Sequence, residues 1–93
     1  MSLLNDIIKE LSFDGYPDVE GAENSSEYIL NVDLETEYAN DFIDDLENVL
    51  LYLGYSPIED FDGIEVNKIG KSRYDGDLDY LANFEVILYK DNY

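Results

Sequence analysis

The chain has 93 residues with no cysteine and no histidine, and 23 acidic against 5 basic residues give a formal net charge of −18. The missing residue types exclude disulfides, thiolate metal sites and the usual nucleophile–base pairs of hydrolases. A hydrophobic fraction of 45%, with nine tyrosines and four phenylalanines, excludes an acidic disordered tail and is enough for one small core. We therefore expect a single acidic domain over residues 1–93.

The first predicted element is a helix that begins after Ser2, whose side chain can cap it. Apolar residues follow at helical spacing and form one stripe: Leu4, Ile7, Ile8 and Leu11. The next segment, 13–26, contains Gly15, Pro17 and Gly21, and we predict an acidic loop there.

A strand is predicted over Glu27–Glu35, because apolar and polar residues alternate along it. Its apolar face carries four side chains: Tyr28, Leu30, Val32 and Leu34. Strict alternation is typical of a strand with one face on a core and the other in solvent.

A second helix is predicted over 37–53, with Thr36 as its N-cap and Gly54 as the residue that ends it. An acidic turn over 59–63 follows. Ile64, Val66 and Ile69 then suggest a second strand, and a polar hairpin loop over 70–81 leads to a third.

The third strand is predicted over 82–90, with Phe84, Val86 and Leu88 on one face. The element order is thus α-β-α-β-β. It predicts an α+β fold in which two helices pack on a three-stranded, mostly antiparallel sheet.

The acidic residues are concentrated in one part of the chain: seventeen occur from Glu10 to Glu65 without one Lys or Arg. On the second helix they fall opposite the apolar stripe, and like-charged neighbours there cost a few tenths of a kcal/mol each. Tolerated repulsion indicates a surface kept for a basic partner. The predicted partner-binding residues are Glu37, Asp41, Asp44, Asp45, Glu47, Asn48, Leu51, Tyr52, Glu59, Asp60 and Asp62.

Motifs for catalysis or cofactor binding are missing from the sequence. It has no GxGxxG or GxxxxGK[ST] pattern, and no histidine for proton transfer at neutral pH. Asp75, Asp77 and Asp79 match the first ligands of a calcium loop, but Tyr80 stands where that loop needs glycine and Val86 where it needs glutamate. We therefore predict no enzyme, no cofactor and no EF-hand, and leave open whether this turn binds a cation weakly.

Small size, a charge of −18 without Cys or His, and the acid-lined segment from Glu37 to Asp45 resemble a functional class. It is the class of phage-encoded DNA-mimic inhibitors, which includes anti-restriction and anti-CRISPR proteins. The resemblance implies a non-catalytic inhibitor that blocks the DNA- or RNA-binding groove of a host defence nuclease or CRISPR effector. It is compositional and carries over no individual residue.

Three alternatives stay open. The chain can be an acidic adaptor or antitoxin-like module for a basic protein that does not handle nucleic acid. Its acidity can also serve solubility alone or adaptation to high salt. In every case the charge argues against direct binding to nucleic acid or anionic membranes. Met1–Leu4 lacks the basic region of a signal peptide, so we expect a cytoplasmic protein.

Overall fold

In a computed structural model of the protein, residues 2–71 and 81–91 are described, except for the side chains of Lys71 and Leu81. Two helices lie on one antiparallel sheet of four strands, in the order β1-β2-β4-β3. The elements are α1 (Leu3–Phe13), β1 (Glu20–Glu23), β2 (Glu27–Glu35), a 3₁₀ turn (Thr36–Tyr38), α2 (Ala39–Tyr52), β3 (Phe61–Lys71) and β4 (Leu81–Lys90).

The α+β class and the antiparallel sheet are confirmed, but the predicted strand number and element order are wrong. The extra strand, β1, lies inside the predicted loop over 13–26 and pairs with β2. Its four residues are all exposed, so it has no apolar alternation by which to detect it. Pairing with β2 and contact of Gly21 with α1 hold it in place instead. A Cβ on Gly21 would lie 2.8 Å from the Ile8 side chain.

Both helices end in the same way, and this feature sets the geometry of the site described below. Gly15 and Gly54 follow α1 and α2 with φ angles of +102° and +93°, which favour glycine. The Tyr16 and Tyr55 amides then donate to carbonyls five residues back, at 2.9 and 2.8 Å. This is the Schellman arrangement, so the prediction that Gly54 ends the second helix is confirmed.

The N-terminal predictions had different outcomes. The Ser2 hydroxyl accepts a hydrogen bond from the Asn5 amide at 3.2 Å, so the predicted cap of α1 is confirmed. Thr36 is not the cap of α2, because it begins a 3₁₀ turn and the α-helix starts only at Ala39. The residue at the cap position, Tyr38, makes no side-chain capping bond.

The core lies between the helices and one face of the sheet. The predicted stripe of α1 is buried or half-buried, and β2 and β4 contribute their alternate apolar residues as predicted. Fully buried side chains include Ile7, Leu11, Leu30, Phe42, Leu46, Leu50, Val86 and Leu88. On the opposite face of the sheet, Asn83 and Ile87 are also buried, at 5% and 8% exposed.

Strand β3 is longer than predicted and forms one edge of the sheet. It begins at Phe61, so the acidic turn predicted over 59–63 is shorter, and its register shifts between Lys68 and Gly70. Val66 and Ile69 are 40% and 58% exposed. The hairpin loop predicted over 70–81, including Asp75 to Asp79, lies outside the described residues except for its ends, which belong to β3 and β4.

Candidate functional site

The outer face of α2 presents a row of exposed polar side chains that ends in apolar ones. Asp41, Asp44 and Asn48 are exposed and follow one another at intervals of three and four residues, which places them on one side of the helix. Leu51 continues the row and is 58% exposed. The structure therefore brings four of the predicted residues together on one surface, which we call the α2 row.

Asp45 lies on the side of α2 that faces the end of α1, and its carboxylate is already engaged. The Tyr16 hydroxyl donates a hydrogen bond to Asp45 Oδ2 at 2.6 Å, and the Tyr16 ring contacts Phe42 edge-on at 4.9 Å between centroids. Burial, then the bond to Asp45 and the surrounding carboxylates, raise the pKa of Tyr16 well above its usual range. Asp45 therefore orders the segment after α1 and contributes to the negative field, with less freedom to pair with a partner's base.

Glu47 borders the α2 row on the side away from Asp45, against the connection to β3. It lines a depression together with Asp62 and the strongly exposed Ile58. The structure thus joins the predicted helix residues and the predicted acidic turn into one surface, although they are 15 residues apart in sequence.

The acids of this turn have two roles. Asp60 Oδ2 accepts a 2.6 Å hydrogen bond from the Ser56 amide, and the Asp60 amide donates back to the Ser56 carbonyl at 3.0 Å. Asp60 therefore closes the turn, while Glu59 and Asp62 stay exposed beside it. Glu37, in the 3₁₀ turn, is exposed beyond the other end of the α2 row.

A second depression lies between the C-terminal parts of the two helices. Its borders are Phe13 and Tyr52, which are the last residues of α1 and α2 and are 73% and 76% exposed. Glu10, Asp14, Asn48 and Val49 complete the lining. The sequence prediction included Tyr52 but missed Phe13. Phe13 falls outside the apolar stripe of α1. An aromatic residue at such a position is expected to be exposed, so helical periodicity could have predicted the exposure of Phe13.

The face of the sheet away from the helices carries further acidic side chains, among them Glu65 and Glu85, that the sequence prediction did not include. The register places Asn31, Glu85 and Asn67 side by side on three strands, with Ile87 opposite Glu65 in the next row. Asn83 is 5% exposed there and exchanges two 2.9 Å hydrogen bonds with Asn31. The polar half of the predicted alternation in β2 was the signal for this surface.

The described lysines do little to neutralise these surfaces. Lys90 pairs with Glu23 at 2.7 Å and lies 4.7 Å from the centre of the Tyr28 ring, at the end of the sheet. Lys9 on α1 and Lys68 on edge strand β3 are exposed. None of these three described lysines lies on α2.

Within residues 2–71 and 81–91, no three acidic side chains come together in a way that could hold a metal ion. Over the same residues, no helix is long and apolar enough to cross a membrane. The described carboxylates therefore offer charge and hydrogen-bond acceptors, and the exposed aromatics offer nonpolar contact area.

The comparisons with known proteins give no family. The chain matches no protein-family model, no curated protein and no solved structure. Function must therefore be argued from the surfaces themselves.

Proposed function

We propose that the protein is a non-catalytic inhibitor that imitates the charge of a nucleic-acid backbone and blocks the basic groove of a host defence nuclease or CRISPR effector. The observation that carries the proposal is charge density. The net charge of −18 is spread along a longest dimension of 43 Å, which is about one charge per 2.4 Å. Duplex DNA carries about one per 1.7 Å. A groove lined with Lys and Arg would meet a similar field on either molecule.

The placement of the charge supports the proposal independently of its amount. Asp41, Asp44 and Glu47 follow one another at three-residue intervals on α2, where each like-charged pair costs about 0.2–0.5 kcal/mol. Bases at some of these positions would turn repulsion into attraction at no cost in solubility. A surface that gives up stability in this way is best explained by a partner that supplies the missing positive charge.

The test is competition. Purified restriction nucleases and CRISPR effectors of bacterial hosts are mixed with a fluorescent DNA or guide-bound target, and anisotropy is followed as the protein is added. If the proposal is right, the protein displaces the nucleic acid from at least one of these enzymes. Its affinity for that enzyme should fall steeply as the salt concentration rises. Failure to displace nucleic acid from any of these enzymes at low salt would refute it.

Two matched variants locate the surface. Asp41→Lys with Asp44→Lys reverses two charges on the α2 row and should abolish displacement. Glu65→Lys with Glu85→Lys makes the same change in net charge on the face of the sheet away from the helices and should leave most of the displacement intact. Asp45 is left unchanged because Tyr16 needs it. If the two variants lose equal activity, net charge rather than the α2 row determines binding.

A second candidate is a binding module for a basic protein that does not handle nucleic acid. The exposed apolar side chains at the helix ends favour it, because they suit a protein interface with an apolar centre and a polar rim. The two candidates differ in one outcome. An adaptor forms a ternary complex when its partner's other ligands are bound, whereas a mimic is excluded by nucleic acid.

A further inference from the structure

We infer that the depression between the ends of α1 and α2 receives one aromatic side chain of a partner segment rich in Lys and Arg. This inference rests on the proposed function in one respect, namely that the partner is basic. The depression has a volume of about 490 Å³ and is bordered by Phe13 and Tyr52, with Val49 contributing apolar surface. That volume lies within the range of about 300–1,000 Å³ typical of ligand clefts.

The apolar borders need an explanation of their own. Phe13 and Tyr52 are among the most exposed large hydrophobic side chains described, and both come from the same position, the last residue of a helix. Aromatic side chains in such settings are frequent anchors of protein interfaces, since they bury a large area at little entropic cost. Two of them facing one depression form a clamp for a flat, apolar group.

The charges around the depression favour a cationic side chain next to the inserted aromatic ring. The last turns of α1 and α2 contain no basic residue. The partial negative charge of each helix C-terminus is therefore not balanced by a lysine or arginine in the same turn. Glu10 and Asp14 add carboxylates at the end of α1, where acids are destabilising. A partner's Lys or Arg on either side of the inserted ring would be attracted by both features.

The same charges exclude two other occupants. A second copy of the chain would bring another net charge of −18 against this one. A nucleobase could stack on the aromatics, but its phosphates would be repelled by Glu10 and Asp14. A basic peptide segment with an aromatic side chain satisfies both the apolar and the charged parts of the site.

The experiment uses a lysine-rich peptide with a single central tryptophan and a matched peptide with serine in its place. The protein contains no tryptophan, so the peptide can be excited selectively. We expect the emission to shift to the blue on binding, and the serine peptide to bind at least about tenfold more weakly. Equal affinity of the two peptides, or binding without an emission shift, would overturn the inference.

Variants assign the effect to the depression. Phe13→Ala with Tyr52→Ala should remove the shift and weaken the tryptophan peptide to the level of the serine peptide. Ile58→Ala is the control, because Ile58 is also a large apolar side chain, is 88% exposed and lines a different depression. A shift that survives in the double variant would place the ring elsewhere. Urea unfolding of each variant checks its fold, and either single substitution replaces the double one if that variant unfolds.

This test is independent of the competition experiment, because no nucleic-acid-binding protein takes part. A protein that displaces nucleic acid but gives no emission shift with the peptide refutes the clamp and leaves the mimic intact. A shift with the peptide and no displacement of nucleic acid from any enzyme refutes the mimic and leaves the clamp.

Discussion

Replacing Asp44 by lysine should stabilise the protein and, if the proposed function holds, weaken its displacement of nucleic acid at the same time. Asp44 has two acidic neighbours on its side of α2, Asp41 and Glu47, each three residues away. Such a pair costs about 0.2–0.5 kcal/mol, and charge reversal turns the cost into a gain of similar size. The two pairs together predict a stabilisation of about 1–2 kcal/mol at low salt, or a rise in Tm of roughly 4–8 °C for each kcal/mol in a chain of this length.

The assay is thermal unfolding followed by circular dichroism at low and high salt. Asp44→Asn should give about half the rise, since it removes repulsion without adding attraction, and salt should shrink both effects. Asp91→Lys makes the same change in net charge outside the helix and should shift Tm less. A fall in Tm for Asp44→Lys, or a rise equal to that of Asp91→Lys, would show that the α2 row is not under local repulsion.

Three further changes test the packing around the site. Tyr16→Phe removes the bond to Asp45 and should cost about 1–2 kcal/mol in urea unfolding at neutral pH. Because folding raises the pKa of Tyr16, this stability is present below the ordinary tyrosine pKa of 10.0 and is lost as pH rises above it, so the variant and the parent should converge in alkali; a constant gap would contradict this. Gly21→Ala puts a Cβ 2.8 Å from the end of the Ile8 side chain and 2.9 Å from that of Leu4, which must both shift, and should cost up to about 1 kcal/mol, while Gly70→Ala, with nothing within 4 Å, should cost less; equal urea midpoints would refute the contact. Asn83→Ala breaks three side-chain hydrogen bonds of 2.9 Å and should cost about 2–3 kcal/mol by the same measurement, and a loss well under 1 kcal/mol would mean that water replaces them.

The elements that the sequence predicted well carry their information locally. The alternation of Glu27–Glu35 reproduced β2 to the residue, because period-two patterning follows directly from a half-buried strand. Gly54 marked the end of α2, because the left-handed conformation there excludes most other residues. Strand β1 left no such trace: its four exposed residues are held by a neighbouring strand and by contact with α1.

The candidate site was predicted in composition but not in detail. Helical periodicity placed Asp41 and Asp44 on the exposed face correctly. It could not show that Asp45 is bound by Tyr16, 29 residues earlier in the chain, because that contact depends on how α1 packs. The depression beside Phe13 also depends on how the two helices pack. No local sequence pattern shows that the ends of α1 and α2 lie side by side.

The charge of the chain should also protect an edge of the sheet that lies outside the proposed partner-binding surfaces. Edge strand β3 is 11 residues long and exposes Val66 and Ile69, features by which the sheets of two molecules can join into aggregates. At neutral pH, mutual repulsion keeps two molecules too far apart for their edges to pair. Near the isoelectric point, about pH 4.1, that repulsion vanishes, so acidification should precipitate the folded protein through β3. Colloidal stability and the proposed recognition of a basic partner would thus depend on the same carboxylates.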